Sequence, residues 1–232
     1  MKSHRTMTLL LALPAMSLFA GGQSLGNSAD YSGLVAAPAP PDLIYTRPTE
    51  RTKIRNYAFD SFGPYPIAGA ALAAGIGQAR GTPREWEQGA EGFGMRFGSA
   101  FGIAAVSTTT RYGLAQAFKE DTLYYRCECK GVLSRLRHAL FSTLTARRGD
   151  DGHRVFSIPA LIAPYAGTVT AVYAWYPDRY NGKDALRMGN YTMLGYVGGN
   201  IALEFFYSGP HSLLHRMHLN NGHGAPDPSP NP

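Results

Sequence analysis

Small residues recur at intervals of four in four long, mostly uncharged segments, and this spacing restricts the fold more than any other feature of the sequence. The first segment, Pro64 to Ala79, has no charged residue and carries Gly69, Ala73 and Gly77. Residues four apart lie on one face of an α-helix. Similar spacings occur in segments 85–118, 156–176 and 188–206. Glycine costs a helix interior about 1 kcal/mol relative to alanine, so its recurrence requires a compensating role.

Close helix packing is the predicted role, because two helix axes can approach closely where Cβ atoms are missing. The sequence therefore predicts a mainly α fold, a small bundle of about four to six helices packed through glycine and alanine faces. The predicted packing glycines are Gly69, Gly77, Gly94, Gly98, Gly102, Gly195 and Gly199. Two alternatives stay open: glycines merely tolerated in an ordinary helical core, and short strands, since Thr168 to Trp175 alternates and is rich in β-formers.

The amino terminus has the pattern of a secretory signal peptide. Lys2 and Arg5 precede the uncharged run Thr8 to Ala20, which Pro14 interrupts and small residues follow. The run is too short to be a stable membrane span. Residues 1–22 are therefore predicted to direct export to the periplasm or to an outer-membrane-associated location.

Proline defines the expected domain limits. Residues 23–55 hold Pro38, Pro40, Pro41 and Pro48 without a sustained period, which predicts a disordered linker. Residues 220–232 are proline-rich as well and are predicted to be a disordered tail. The helical domain is then expected to span residues 56–219.

The segment from Lys130 to Ala146 has a different pattern, that of a basic amphipathic helix. Apolar residues follow the helical period, while Arg135 and Arg137 lie off the apolar stripe. Lys130, Arg135 and Arg137 are predicted to contact a membrane or a partner, unless the apolar stripe is buried and the cations are simply solvated. With a net charge of +6 and a signal for export, the chain is a poor candidate for binding nucleic acid.

Two groups of residues could support chemistry. One is a polar and aromatic cluster formed by Glu120, Asp121, Tyr125 and Arg126, which equally suits a helix terminus with an ion pair. The other is Cys127-Glu128-Cys129, where a disulfide would close a very short loop and could take part in thiol exchange. No hydrolase, metalloprotease or nucleotide-binding motif occurs, so a non-enzymatic protein is favoured.

His211, His215 and His218 would share one helical face, an arrangement that suits Zn²⁺. The stretch contains no carboxylate and adjoins the predicted tail. We therefore predict neither a metal site nor a cofactor.

Five stretches, taken in order, resemble a group of uncharacterised exported bacterial proteins. They are GIGQAR at 75–80, PREWEQGAEGFGMRFG at 83–98, KEDTLYYR at 119–126, DDGHRVFS at 150–157 and WYPDR at 175–179. In that group a signal peptide and a proline-rich segment precede a small helical domain. No activity is assigned to the group, so the resemblance implies export and fold only. This chain has Lys119-Glu120-Asp121-Thr122 where the group has His-Glu-Asp-Pro, so no role of that histidine or proline carries over.

The sequence thus predicts an exported, non-enzymatic cell-envelope protein that associates with a membrane surface or with itself. No small-molecule ligand can be identified from it. Two alternatives remain: a periplasmic enzyme or redox protein that uses the polar cluster or the cysteine pair, and a strand-rich outer-membrane protein.

Overall fold

The computed structural model describes residues 44–206 and 221–228, and these residues are mainly helical, as predicted. Within these ranges there are six α-helices and five short strands. The helices are α1 (Glu50–Phe62), α2 (Pro64–Arg80), α3 (Gly89–Phe118), α4 (Val132–Leu144), α5 (Ile158–Ala174) and α6 (Gly182–Phe206). The strands are β1 (Glu120–Asp121), β2 (Tyr125–Arg126), β3 (Thr145–Arg148), β4 (His153–Phe156) and β5 (Ala225–Pro226). The predicted signal peptide and the cluster of His211, His215 and His218 lie outside the described residues.

Helix α3 is central to the packing. It packs against both α2 and α5, and α5 also packs against α6. Ser157 accepts a hydrogen bond from the Ala160 amide and caps the start of α5, as its position before Pro159 predicts. The segment 168–175, which alternates like a strand, is helical as far as Ala174, because one face of α5 packs along α3 and α6.

The close-packing role is wrong for most of the predicted glycines. A Cβ atom added at Gly69, Gly94, Gly98, Gly195 or Gly199 would meet no atom of the described residues within 4 Å. Within residues 44–206 and 221–228, therefore, no neighbouring helix lies against these glycines. Gly77 and Gly102 do lie close to side chains, with Arg96 Cδ at 3.1 Å and the Trp175 ring at 3.3 Å from the added Cβ.

The tightest helix contacts occur instead at two other glycines. A Cβ added at Gly167 of α5 would lie 2.5 Å from the carbonyl oxygen of Ile103 in α3. At Gly189 of α6 it would lie 2.7 Å from Cε1 of Tyr165 in α5. Both distances are shorter than carbon contacts allow, so these positions require glycine.

The small sheets connect the segments around α4. Strand β3 pairs antiparallel with both β1 and β4, while β2 pairs in parallel with β5. Helix α4 lies between β2 and β3 in the chain and packs mainly on α6.

Both predicted disordered segments contain ordered residues. Helix α1 begins at Glu50, inside the predicted linker, because Thr49 caps it through the Thr52 amide. In the predicted tail, β5 pairs with β2 and His223 is buried. Disorder predicted from proline content is therefore wrong for these residues at both ends, because polar contacts hold them against the helices.

Candidate ligand groove and outward-facing helix

A groove of about 990 Å³ lies between α2 and α6, with α3 along its floor. Its walls are made largely of small residues, among them Gly69 and Ala73 of α2 and Gly195 and Gly199 of α6. Sites for small molecules usually measure roughly 300–1,000 Å³, so this groove is at the upper end of that range. Several of the glycines predicted to bring helices together therefore widen a groove instead.

The groove is long. Its floor extends along α3 from Arg96 to Tyr112, which at about 1.5 Å per helical residue corresponds to about 24 Å. An aromatic group formed by Trp86, Tyr176 and Tyr180 lines one end, and Tyr112 lines the other. The middle is lined mainly by alanine, glycine and Ile103.

A carboxylate and an imidazole meet at the Tyr112 end. The Tyr112 hydroxyl donates to Asp60 Oδ2 at 2.6 Å, and His223 Nε2 lies 3.0 Å from both Asp60 oxygens. Burial works to raise the pKa of Asp60, but the hydrogen bonds from His223 and Tyr112 and the positive charge of Arg111 outweigh burial and lower that pKa. Asp60 is therefore an ionised acceptor at neutral pH.

His223 is a structural residue rather than a free base. The backbone amide of Tyr124 donates to His223 Nδ1 at 3.1 Å. An amide can only donate, so Nδ1 carries no hydrogen, and Nε2 carries the hydrogen that is donated to Asp60. Both ring nitrogens are thus occupied, and His223 holds residues 221–228 against α1 and β2.

Arg111 is the groove cation with the fewest contacts at this end. Its hydrogen bonding within the described residues is limited to a 3.5 Å contact from Nη2 to the carbonyl oxygen of Thr122. The side chain is half-buried and lines the groove. A guanidinium has five N–H donors, so most of its capacity is left for the groove.

Arg96 organises the opposite end. It is 4% exposed, and its guanidinium donates to the carbonyl oxygens of Thr82, Pro83 and Glu87 at 2.8–2.9 Å. It also donates to Oε1 of Gln78 at 2.7 Å. These bonds fix the connection between α2 and α3.

Three of the five stretches that carry the resemblance meet around the connection between α2 and α3. Gln78 belongs to the stretch 75–80, Arg96 to 83–98, and Tyr176 to 175–179. The rings of Trp86 and Tyr176 lie 5.0 Å apart between centroids, and Arg179 Nε donates to Glu85 Oε1 at 2.5 Å. Residues from these three stretches thus form one end of the groove together.

The predicted polar cluster of Glu120, Asp121, Tyr125 and Arg126 is only partly assembled. Tyr125 donates to Asp121 Oδ2 at 2.7 Å, and burial together with the Asp121 charge raises the pKa of Tyr125. Tyr45 donates to the same carboxylate oxygen at 3.2 Å.

The other two members of the cluster point elsewhere. Glu120 accepts from Arg148 at 2.8 Å and from Ser157 at 2.5 Å, whereas Arg126 pairs with Glu128 at 2.8 Å. The four side chains therefore form three separate groups. Each group holds neighbouring backbone segments together, and they do not converge on one reacting centre.

Glu204 is a junction for three elements. Its side chain is fully buried near the end of α6 and accepts from the Tyr124 hydroxyl at 2.6 Å and from Arg135 Nε at 3.1 Å. The Cys127 amide also donates to this carboxylate. Cys127 and Cys129 are joined by a disulfide, so the short loop after β2 is tied both to itself and to α6.

Helix α4 leaves part of its apolar stripe in solvent. The side chains that face the body are polar or small: Arg135 contacts Glu204, Thr143 accepts from Asn200, and Ala139 is completely buried. Four apolar side chains point outward, and their exposed fractions are 71% for Val132, 70% for Leu133, 44% for Leu140 and 65% for Phe141. The expected alternative of a buried apolar stripe is correct only in part, because Ala139 and Thr143 are buried and Leu136 and Leu144 are half-buried, whereas Leu133 and Leu140 are exposed.

The three cations predicted to contact a membrane lie in different places around α4. Lys130 and Arg137 are exposed beside the apolar face. Arg135 is not part of the surface, because the Glu204 carboxylate and the Phe205 ring hold its guanidinium, the ring centroid lying 4.6 Å from Cζ.

Sequence reasoning missed Arg111, His223 and Glu204. Arg111 and Glu204 interrupt apolar helical segments with a single charge, which is the signal that could have identified them. His223 lies in a segment that proline content assigned to a tail, so no local signal was available.

No protein-family model matches this chain, and neither the curated proteins nor the solved structures include a significant match to it. Among residues 44–206 and 221–228, no helix is long and apolar enough to cross a membrane. The same residues contain no group of three or more His, Cys, Asp or Glu side chains arranged to hold a metal ion.

Proposed function

We propose that this is an exported, non-enzymatic cell-envelope protein that attaches to an anionic membrane surface through α4. The observation that carries the proposal is the orientation of α4, with its polar edge bound to the protein and its apolar face in solvent. Exposed apolar patches of this kind mark membrane or protein contacts in soluble domains.

The chemistry of the α4 face favours an interfacial membrane contact. Helices of this kind lie in the headgroup region with the apolar face buried ~5–10 Å deep. Full burial of a Leu or Phe side chain contributes about 1.5–3 kcal/mol, and a Lys or Arg near an anionic surface contributes about 1 kcal/mol. Leu133 and Phe141 supply the first contribution, and Lys130 and Arg137 supply the second.

Export is supported by two observations. Lys2 and Arg5 precede the apolar run Thr8 to Ala20, as in a secretory signal peptide. Disulfides such as the one between Cys127 and Cys129 form in oxidising compartments and are rare in the cytosol. Neither observation depends on the orientation of α4, so export and membrane attachment can be tested separately.

Vesicle flotation tests the attachment. The purified full chain is mixed with vesicles of phosphatidylcholine alone or with added phosphatidylglycerol and centrifuged through a density gradient. We expect flotation with the anionic vesicles and loss of flotation in the double variant Leu133→Glu, Phe141→Glu. Every variant carries the same amino-terminal segment, so the difference reports on α4.

The matched control is Leu72→Glu, Leu194→Glu, because these residues are 68% and 63% exposed but lie on α2 and α6. It should float like the unmodified chain. Equal flotation of the α4 variant and the control would refute the proposal. So would a chain that does not float but forms dimers which the α4 variant dissociates, since the face would then bind a second copy.

Cell fractionation tests export and the mode of attachment. We expect the processed chain in the membrane pellet and its release by an alkaline carbonate wash, because an interfacial helix does not span the bilayer. Recovery of the unprocessed chain from the cytoplasm would contradict export without bearing on α4.

A further inference from the structure

The groove between α2 and α6 has the features of a binding site for a molecule with a long apolar part. About 24 Å of its length follows α3 from Arg96 to Tyr112. The hydrocarbon core of a bilayer is ~30 Å thick, so one fluid acyl chain of a membrane lipid covers about 15 Å of it. An acyl chain in such a partly coiled conformation therefore fits within the groove with room for a head group.

The groove has room for such a chain because of its glycines. A Cβ at Gly69, Gly195 or Gly199 would meet none of the described atoms within 4 Å, although all three residues line the groove. Larger side chains at these positions would project into the groove. Ala100, Ile103 and Ala104 complete an apolar floor.

Arginine side chains line the Tyr112 end of the groove. Three guanidinium groups are among its lining residues, those of Arg111, Arg147 and Arg154, together with the carboxylate of Asp60. Arg147 and Arg154 both pair with Asp227, and Asp60 already accepts from Tyr112 and His223. Arg111 therefore has the largest unused hydrogen-bonding capacity.

A carboxylate is the complementary head group, since its two oxygens match the planar donor fork of a guanidinium. Among the described residues, the hydrogen bonding of Arg111 is limited to the 3.5 Å contact with the Thr122 carbonyl oxygen, which leaves most of its five N–H donors unused. The hydroxyls of Tyr124 and Tyr125 contact Glu204 and Asp121, so these side chains supply ring surface at this end.

We propose that the groove binds one long-chain carboxylic acid, with the carboxylate on Arg111 and the chain along the glycine-lined channel toward Trp86. This inference does not depend on membrane attachment, because it uses α2, α3 and α6 rather than the outer face of α4. An exported protein with both features would exchange single-chain amphiphiles with a membrane surface.

Calorimetric titration with hexadecanoate below its micelle concentration tests the proposal. We expect saturable binding of one molecule per chain, with at least tenfold weaker binding of hexadecanol, which lacks the charge, and of octanoate, which lacks the chain length. Equal affinity for hexadecanol would overturn the role of the head group. Absence of saturable binding of hexadecanoate would overturn the site.

Two pairs of variants locate the binding. Arg111→Gln should weaken hexadecanoate binding at least tenfold, whereas Arg137→Gln on the α4 surface should not. Gly195→Leu should block the groove, whereas Gly98→Leu, outside the groove and without described neighbours, should bind normally. The melting temperature of each variant is recorded first, and the glycine pair keeps the test decisive if Arg111→Gln does not fold.

Adsorption to α4 would give a different pattern. If Leu133→Glu, Phe141→Glu abolishes binding of hexadecanoate while Arg111→Gln and Gly195→Leu leave it unchanged, the acid binds the outer face and the groove proposal is wrong. Loss of vesicle flotation in the α4 variant with hexadecanoate binding intact would separate the two proposals cleanly.

Discussion

Arg135 of α4 donates through Nε to Oε1 of Glu204, a fully buried side chain near the end of α6, across 3.1 Å. This ion pair decides which way α4 faces. It draws a basic side chain inward, and Leu133, Leu140 and Phe141 on the other side of the helix are left in solvent. The polar edge of α4 is thus its packing surface.

Replacing Glu204 with glutamine should destabilise the fold by about 3 kcal/mol, because the guanidinium loses its buried counter-charge while the Tyr124 hydroxyl and the Cys127 amide lose a charged acceptor. Urea denaturation followed by circular dichroism measures the change. Glu85→Gln is the control, since Glu85 pairs with Arg179 on the surface and its loss should leave the midpoint unchanged. Equal midpoints for Glu204→Gln and the unmodified chain would contradict the junction role.

Glycine substitutions should separate packing positions from open ones. Gly167→Ala should cost about 1–3 kcal/mol, because its methyl group would collide with Ile103 and Ser107 of α3. Gly98→Ala should stabilise by about 0.5–1 kcal/mol, since alanine is the better helix former and nothing described lies within 4 Å. Thermal unfolding of both variants is the measurement, and a destabilised Gly98→Ala chain would restore the close-packing role expected from the sequence.

Acid should loosen the attachment of residues 221–228. Burial works to raise the pKa of Asp227, but His138, Arg147 and Arg154 outweigh it and lower the pKa from 3.8 to about 2. A carboxylate whose pKa is lowered by folding stabilises the fold at pH values above its pKa in the unfolded chain. This contribution is lost as the pH falls from about 4 toward 2. The contribution at neutral pH is about 2 kcal/mol.

Asp227→Asn should therefore be less stable than the unmodified chain at pH 7, and the two should converge near pH 2. Urea denaturation over this pH range checks it. The exposed pair of Asp151 and His153 provides the control, and Asp151→Asn should show a much smaller pH-dependent difference. A constant gap between Asp227→Asn and the unmodified chain across the range would rule out the titration of Asp227 as the cause.

Arg96→Lys should loosen the connection between α2 and α3 although the charge is kept. A lysine ammonium cannot reach the carbonyl oxygens of Thr82, Pro83 and Glu87 together in the planar geometry that a guanidinium provides. We expect faster proteolysis within residues 81–88 and a lower melting temperature. Arg84→Lys in the same connection is the control, and identical cleavage of both variants would contradict the role of Arg96.

The helices were predictable because their signals are local. Uncharged segments with proline at the start, such as Pro64 in α2 and Pro159 in α5, give helix type and position to within a few residues. The role of the glycines was not predictable, because spacing places Gly69, Gly195 and Gly199 on one helical face without saying whether a neighbouring helix or a groove occupies that side. The close helix contact forms instead between α3 and α5, at Gly167, and the glycine faces of α2 and α6 line the groove.

The site residues depended on contacts between distant segments. His223 lines the groove only because β5 pairs with β2, and no local pattern marks that pairing. The orientation of α4 could not be predicted for a similar reason. The hydrophobic period identifies two faces, but the buried Glu204 determines which of them turns inward.

Insertion of α4 into a membrane can be measured directly with a tryptophan at position 141. Phe141 is 65% exposed, so Phe141→Trp should fold normally and report from the outer face of α4. With phosphatidylglycerol vesicles that contain brominated lipid, its fluorescence should shift to the blue and be quenched, while the unmodified chain, with Trp86 and Trp175 alone, should change much less. Emission from Phe141→Trp that neither shifts nor is quenched would contradict attachment through α4.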